Sequence, residues 1–230
     1  MQKIFILITI FSFTLMANPA DSTLKVIKVN DFEVKGDGAS TEWNKTEWVT
    51  LTKKDGGAEY KTQFKTVYSD KGIYCLFFCA DTQITSTLKE DFADIYNEDV
   101  VEVFFWTDES SPIYFEYELS PTNYELPILV PNYNGNFFGW RPWHYEGERK
   151  TRHETKIVKD NKGQVKAWTA EFFIPFALLK PLQNVQPKAG TRWRANFYRI
   201  DYDNGASHWT WQPVQKNFHD YQHFGTIEFQ

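Results

Sequence analysis

Val101-Glu102-Val103-Phe104-Phe105-Trp106 and Tyr114-Phe115-Glu116-Tyr117-Glu118-Leu119 alternate with a period of two, the signature of strands that point successive side chains to opposite faces. In the first, Val101, Val103 and Phe105 share a face; in the second, Phe115, Tyr117 and Leu119 do. Each strand is therefore expected to bury one face, with Glu116 and Glu118 on a solvated side. Further strand segments follow at residues 26–34, 48–52, 64–69, 72–80, 124–130, 153–159, 165–174, 192–202 and 225–229, again short and β-branched or aromatic. Between them Lys54-Asp-Gly-Gly57, Asp70-Lys-Gly72, Asp160-Asn-Lys-Gly163 and Asp203-Asn-Gly205 carry residues that suit hairpin turns. Pro175-Phe-Ala-Leu-Leu-Lys180 reads as one helical turn, opened by proline and closed by lysine. The expected fold is all-β: a two-sheet antiparallel β-sandwich, jelly-roll or immunoglobulin-like, with minimal helix.

Aromatic residues make up 18% of the chain, with 9 Trp and 20 Phe, ample material for one large core. The formal charge of −5 argues against the basic footprint of a nucleic-acid binder. At the start, Met1-Gln2-Lys3 precedes an apolar run from Ile4 to Met16 and then Ala17-Asn18-Pro19-Ala20, the basic, apolar and small-residue parts of a secretory signal. That run is shorter than the roughly 20 residues of a spanning helix. The expectation is a signal peptide over residues 1–20 and a single domain over 21–230, secreted or periplasmic, with no membrane span once the signal is removed.

Cys75 and Cys79 lie in one strand, Gly72-Ile-Tyr-Cys-Leu-Phe-Phe-Cys-Ala80. Four strand residues separate them by about 13 Å, too far for a disulfide. Two buried free thiols are expected.

Three segments together resemble the family 9 carbohydrate-binding modules and their DOMON-like relatives. They are Tyr96-Asn-Glu-Asp-Val-Val-Glu-Val-Phe-Phe-Trp-Thr-Asp108, Trp168-Thr-Ala-Glu-Phe-Phe-Ile-Pro-Phe176, and Trp193-Arg-Ala-Asn-Phe-Tyr-Arg-Ile-Asp201 with Trp209-Thr-Trp-Gln212 and the closing His223-Phe-Gly-Thr-Ile-Glu-Phe229. The resemblance implies a non-catalytic β-sandwich that grips an oligosaccharide or polysaccharide end between two aromatic rings. By position it puts Tyr96 at the first ring, Glu102 at an acidic residue that bonds sugar hydroxyls, Phe218 nearest the second ring and Gln215 nearest a polar contact.

The residues themselves add candidates, because sugar C–H faces lie on aromatic rings while hydroxyls need charged or amide partners. The longest stretch without alternation, residues 131–150, contains Gly139-Trp-Arg-Pro-Trp-His-Tyr145, where Trp143 is the expected stacking platform and Arg141 the donor. In Trp209-Thr-Trp211 both rings fall on one face, so Trp211 is a candidate platform and the other ring a core residue. Arg199 is either a ligand contact or half of a buried ion pair.

Catalysis is not expected. Glu116 and Glu118 stand about 7 Å apart on one strand face, a glycosidase-like spacing, but alternating acidic residues on a solvated face are commonplace. Haem is disfavoured because both methionines, Met1 and Met16, fall within the signal. No cofactor is expected. A structural calcium ion on Asp201-Tyr-Asp-Asn-Gly205 is the one ion considered, with an ordinary Asn-Gly turn the preferred reading. The alternative functions are a protein-interaction or assembly sandwich that has lost sugar binding, whose partner is then a protein, and a glycoside hydrolase-associated domain with a weak catalytic role.

Overall fold

The structure, a computed structural model, describes residues 23–143 and 145–230. The expected signal at residues 1–20 lies outside them. Among the described residues fifteen strands run in the order β1 (Thr23–Lys28), β2 (Val49–Thr50), β3 (Thr52–Asp55), β4 (Thr62–Tyr68), β5 (Gly72–Ala80), β6 (Val100–Trp106), β7 (Ile113–Leu119), β8 (Glu125–Tyr133), β9 (Asn136–Phe137), β10 (Arg141–Pro142), β11 (Arg152–Lys159), β12 (Val165–Pro175), β13 (Arg192–Asp201), β14 (Ser207–Thr210) and β15 (Gly225–Phe229). Among the described residues a single short α-helix, α1 (Phe176–Leu179), follows β12, where the helical turn is expected.

The strands form a β-sandwich. One sheet has the order β10-β8-β7-β6-β13-β15-β1, with β14 and β3 added beside β13; the other has β1-β4-β5-β12-β11, with β2 on β4. Most neighbours are antiparallel, as expected, but β1 is not. Its first residues pair in parallel with β15, and Ile27 and Lys28 pair in parallel with β4, so one strand passes from sheet to sheet. After Lys28 the chain leaves the ladder, and Val29, Phe32 and Val34 pack over the outer face of the second sheet beside Trp43. The turn at residues 54–57 is also not a hairpin. β3 pairs with β14 and β4 with β5, so that turn carries the chain between sheets.

The central core lies between the sheets. Val101, Val103, Phe105, Phe115, Tyr117, Leu119 and Phe197 meet Phe64, Cys75, Phe77, Cys79, Trp168 and Phe172 there. Both cysteines are free and buried, and burial pushes each thiol up to about 12, which leaves them unreactive.

The first sheet departs from the one-buried-face expectation. On its other side Phe104, Tyr114, Tyr198 and Ile128 pack beneath Val214, Phe218, Tyr221 and Phe224 of the C-terminal segment. Gly225 lets that segment seat closely, since a Cβ there would fall 2.6 Å from the Trp211 ring. The second sheet is likewise covered on its outer side. Glu171 clasps that cover: its carboxylate accepts hydrogen bonds from Lys35 N at 2.9 Å, Gly36 N at 2.7 Å and Trp43 Nε1 at 2.8 Å.

Candidate functional site

The cover over the first sheet is incomplete. Between the turn Ile95–Asn97, residue Trp140, and the segment 216–219 an open cavity of about 480 Å³ remains, the size of a small-ligand pocket. The hairpin register of β6 and β7 builds its floor, setting Glu102 opposite Glu118 and Phe104 opposite Glu116. All three glutamates therefore rise from one face, and each is buried, at 3%, 3% and 1% exposure for Glu102, Glu116 and Glu118. The solvated face expected for Glu116 and Glu118 is thus corrected: residues 211–224, about a hundred positions downstream in the sequence, close over it.

Aromatic rings form the walls. Tyr96 meets Trp140 edge-to-face with centroids 6.4 Å apart, and Tyr202 donates its hydroxyl to Tyr96 O at 3.1 Å. Phe218 stacks on Tyr198 at 4.0 Å, and Tyr198 donates its hydroxyl to Phe218 O at 2.9 Å. Phe137 stacks on His219 at 4.1 Å, and His219 Nδ1 lies 2.7 Å from Tyr114 Oη. Lys54, His208, Lys216 and Asn217 complete the lining.

Burial and mutual repulsion keep the floor protonated. Burial pushes the Glu102 carboxyl from 4.5 up to about 8. Glu116 and Glu118 are raised well above 4.5, first by burial and then by Glu102, with each other's charge adding at Glu118. Glu116 Oε2 and Glu118 Oε2 are buried and find no hydrogen-bond partner among the described residues. His219, 3.7 Å from Glu116 Oε2, is lowered by burial to about 4 and offers no cation near neutral pH.

Of the expected site residues, Tyr96, Glu102 and Phe218 line this cavity. The others lie elsewhere. Trp143 donates its indole N–H to Leu178 O at 3.0 Å and packs on the inter-sheet core, with Arg149 over its ring at 5.1 Å. Arg141 is exposed and donates to Trp140 O at 2.8 Å. Trp211 packs edge-on against Phe197 and Phe64. Gln215 is exposed, its backbone N–H held by Asp220 at 2.8 Å. Arg199 is fully buried between Asp81 and Asp201, at 2.8 and 2.5 Å, in the ion pair that was one of its two readings.

That same cluster is where a cation would be sought. Asp81, Asp201 and Asp203 bring ligand oxygens within 4.8 Å of one another. The Arg199 guanidinium already bonds two of these carboxylates, so the positive charge at this place is the chain's own. Residues 203–205 form the turn between β13 and β14, with Gly205 at φ +84°.

Glu118, Glu116, Trp140, Tyr202 and His219 also line the cavity and are not among the expected binding residues. A signal for the first was present: Phe104, Trp106 and Tyr114 occupy the same face as the glutamates, and three large rings there mark a second buried side.

Comparisons with known proteins agree with this architecture. A family model described as "Carbohydrate-binding family 9" matches residues 37–229. A solved protein of Bacteroides uniformis, described as a candidate carbohydrate-binding protein, superposes with a TM-score of 0.73 at 15% identity, over 90% of this chain and 99% of that one. A family 9 module of Caldicellulosiruptor kristjanssonii, solved with cellotriose, superposes with a TM-score of 0.65 at 16% identity, over 90% and 93% of the two chains. A curated relative from Arthroderma benhamiae, called "Extracellular protein", is 31% identical over 108 residues; the match spans 46% of this chain and 47% of that protein. Among the described residues no helix is long and apolar enough to cross a membrane.

Proposed function

The chain belongs to carbohydrate-binding family 9, and from that premise we propose that it holds a carbohydrate, without altering it, in the cavity over Glu102, Glu116 and Glu118. The carrying observation is the cavity itself: carboxyls on its floor and the rings of Tyr96, Trp140, Tyr202 and Phe218 around it. Rings take the apolar faces of a pyranose, and the polar floor takes its hydroxyls. Phe137 lines the cavity while its neighbour Phe138 is 63% exposed, which favours a chain of sugars over a single unit. The relatives solved with cellotriose and with glucose, and the one named extracellular, support an exported glycan-binding role.

Isothermal titration with a panel of mono- and oligosaccharides tests the reading. Trp140→Ala is expected to weaken binding by about tenfold or more, the worth of one lost stacking contact, and Trp143→Ala to leave affinity intact while lowering stability. Heat on no sugar at all, from protein whose fold is verified by circular dichroism, would overturn it in favour of a protein partner.

A further inference from the structure

Within the carbohydrate reading, the floor of the cavity narrows the class of sugar. A neutral glycan is met elsewhere by a mixed set of donors and acceptors. This floor is of one kind: three carboxyls from two adjacent strands, with Glu102 opposite Glu118 and Glu116 beside them on the same face. Among the described residues no lysine or arginine lies within ion-pair distance of any of them, and the one charged-type neighbour in range is His219 at 3.7 Å. Lys54 and Lys216 line the cavity but are exposed, and Lys54 is paired with Asp55 at 2.7 Å.

We propose that the cavity is selective for an amino sugar, its ammonium group received by Glu102, Glu116 and Glu118 beneath the aromatic walls. A primary ammonium carries three N–H donors and no acceptor, which matches three carboxyls with two unpartnered buried oxygens, Glu116 Oε2 and Glu118 Oε2. The rings of Tyr96, Trp140 and Phe218 line the same cavity, and aromatic rings attract a cation placed over them. A hydroxyl at that place meets protonated carboxyls and gains only neutral hydrogen bonds, whereas an ammonium ionises the floor beneath it and gains charge-assisted ones. In the empty site the floor holds its protons. A cation that takes their place expels one, so ammonium binding releases a proton while hydroxyl binding does not. The other ionisable groups facing the floor are the cavity-lining His208 and His219, the rim lysines, and Asp94, whose charge acts on Glu118; the hydroxyls of Tyr114 and Tyr198 are kept protonated by burial.

The test uses three β-1,4-linked trimers that differ only at C2: the glucosamine trimer, its N-acetylated form and cellotriose. Titration calorimetry at neutral pH is run in two buffers of different ionisation enthalpy, with the parent chain and with Glu118→Gln and Glu102→Gln. The expected result is tighter binding of the glucosamine trimer than of cellotriose by on the order of 10- to 100-fold, with proton release for that ligand alone. In the carboxamide variants the glucosamine trimer loses far more affinity than cellotriose does, so the ratio between the two ligands collapses toward one. Cellotriose binding as tightly as the glucosamine trimer, or the N-acetylated trimer matching it, would overturn the amine assignment and leave the carbohydrate reading intact. A trimer preference unchanged in both variants would also overturn it, by moving the contact off the floor. If none of the three binds, the amine assignment falls, and the wider sugar panel decides the carbohydrate reading.

Discussion

Replacing Glu102 by Gln should make the protein more stable as pH rises, because the native fold keeps this carboxyl from ionising. The Glu102 carboxyl is pushed from 4.5 up to about 8 by burial. Below pH 4.5 both folded and unfolded chains hold the proton, and the full contribution to stability is present. Between 4.5 and 8 the unfolded chain gives up its proton and the folded chain does not, so stability falls by about 1.4 kcal/mol per pH unit. At pH 7.5 that amounts to about 4 kcal/mol for an independent group, and Glu116 and Glu118 act in the same direction. Gln keeps the shape and cannot ionise, and its amide can donate to the neighbouring carboxyls. The stability of Glu102→Gln relative to the parent is therefore expected to grow by a few kcal/mol between pH 4.5 and 7.5, whatever its offset at pH 4.5. Urea unfolding followed by tryptophan fluorescence, at half-unit steps from pH 4.5 to 8.5, measures it. Parallel stability curves for parent and variant would refute the reasoning, since they would mean that Glu102 ionises freely in the fold.

The opposite sign applies to His219, lowered from 6.5 to about 4 by burial. Its neutral form is favoured by folding, so its contribution is complete above pH 6.5 and is lost as pH falls toward 4, about 2–3 kcal/mol after allowing for its partial exposure; His219→Gln should flatten the acid limb of the same urea series. Glu171→Gln turns an acceptor of four N–H groups, from Lys35, Gly36, Gly38 and Trp43, into a partial donor, and thermal melting should show a loss of about 3 kcal/mol or more, with faster proteolysis of residues 29–45. Arg199→Met strands Asp81 and Asp201 and should destabilise by about 3–5 kcal/mol at pH 8. The loss should shrink at pH 5, where Asp81, held up to about 7 chiefly by burial, takes a proton; an equal loss at both pH values would contradict the buried ion-pair account.

Alternation along 101–106 and 114–119 was enough to identify strands and to assign side chains to faces, because a strand's period is a local property of its backbone. The same holds for the free cysteines, whose spacing within one strand forbids a bond, and for the helical turn after Pro175. Tyr96, Glu102 and Phe218 were named from a resemblance carried by ordered motifs, and all three stand around one cavity. Trp143 and Arg141 were chosen because their loop mixes rings and charge; β10 pins Arg141 and Pro142 along β8, which sends Trp143 to Leu178 and leaves Trp140 at the cavity.

What is covered is a different matter. Parity placed Glu116 and Glu118 together on one side of β7, and composition along β7 alone could not say whether water or protein lies over that side. The covering rings, Phe218, Tyr221 and Phe224, belong to a segment that reaches the sheet only because β13 and β15 pair beside β6. Strand identity and facing were fixed by the sequence through the local stereochemistry of the chain. Burial of the three carboxyls, and with it their shifted ionisation, was decided by the tertiary structure, since desolvation depends on which distant residues exclude water.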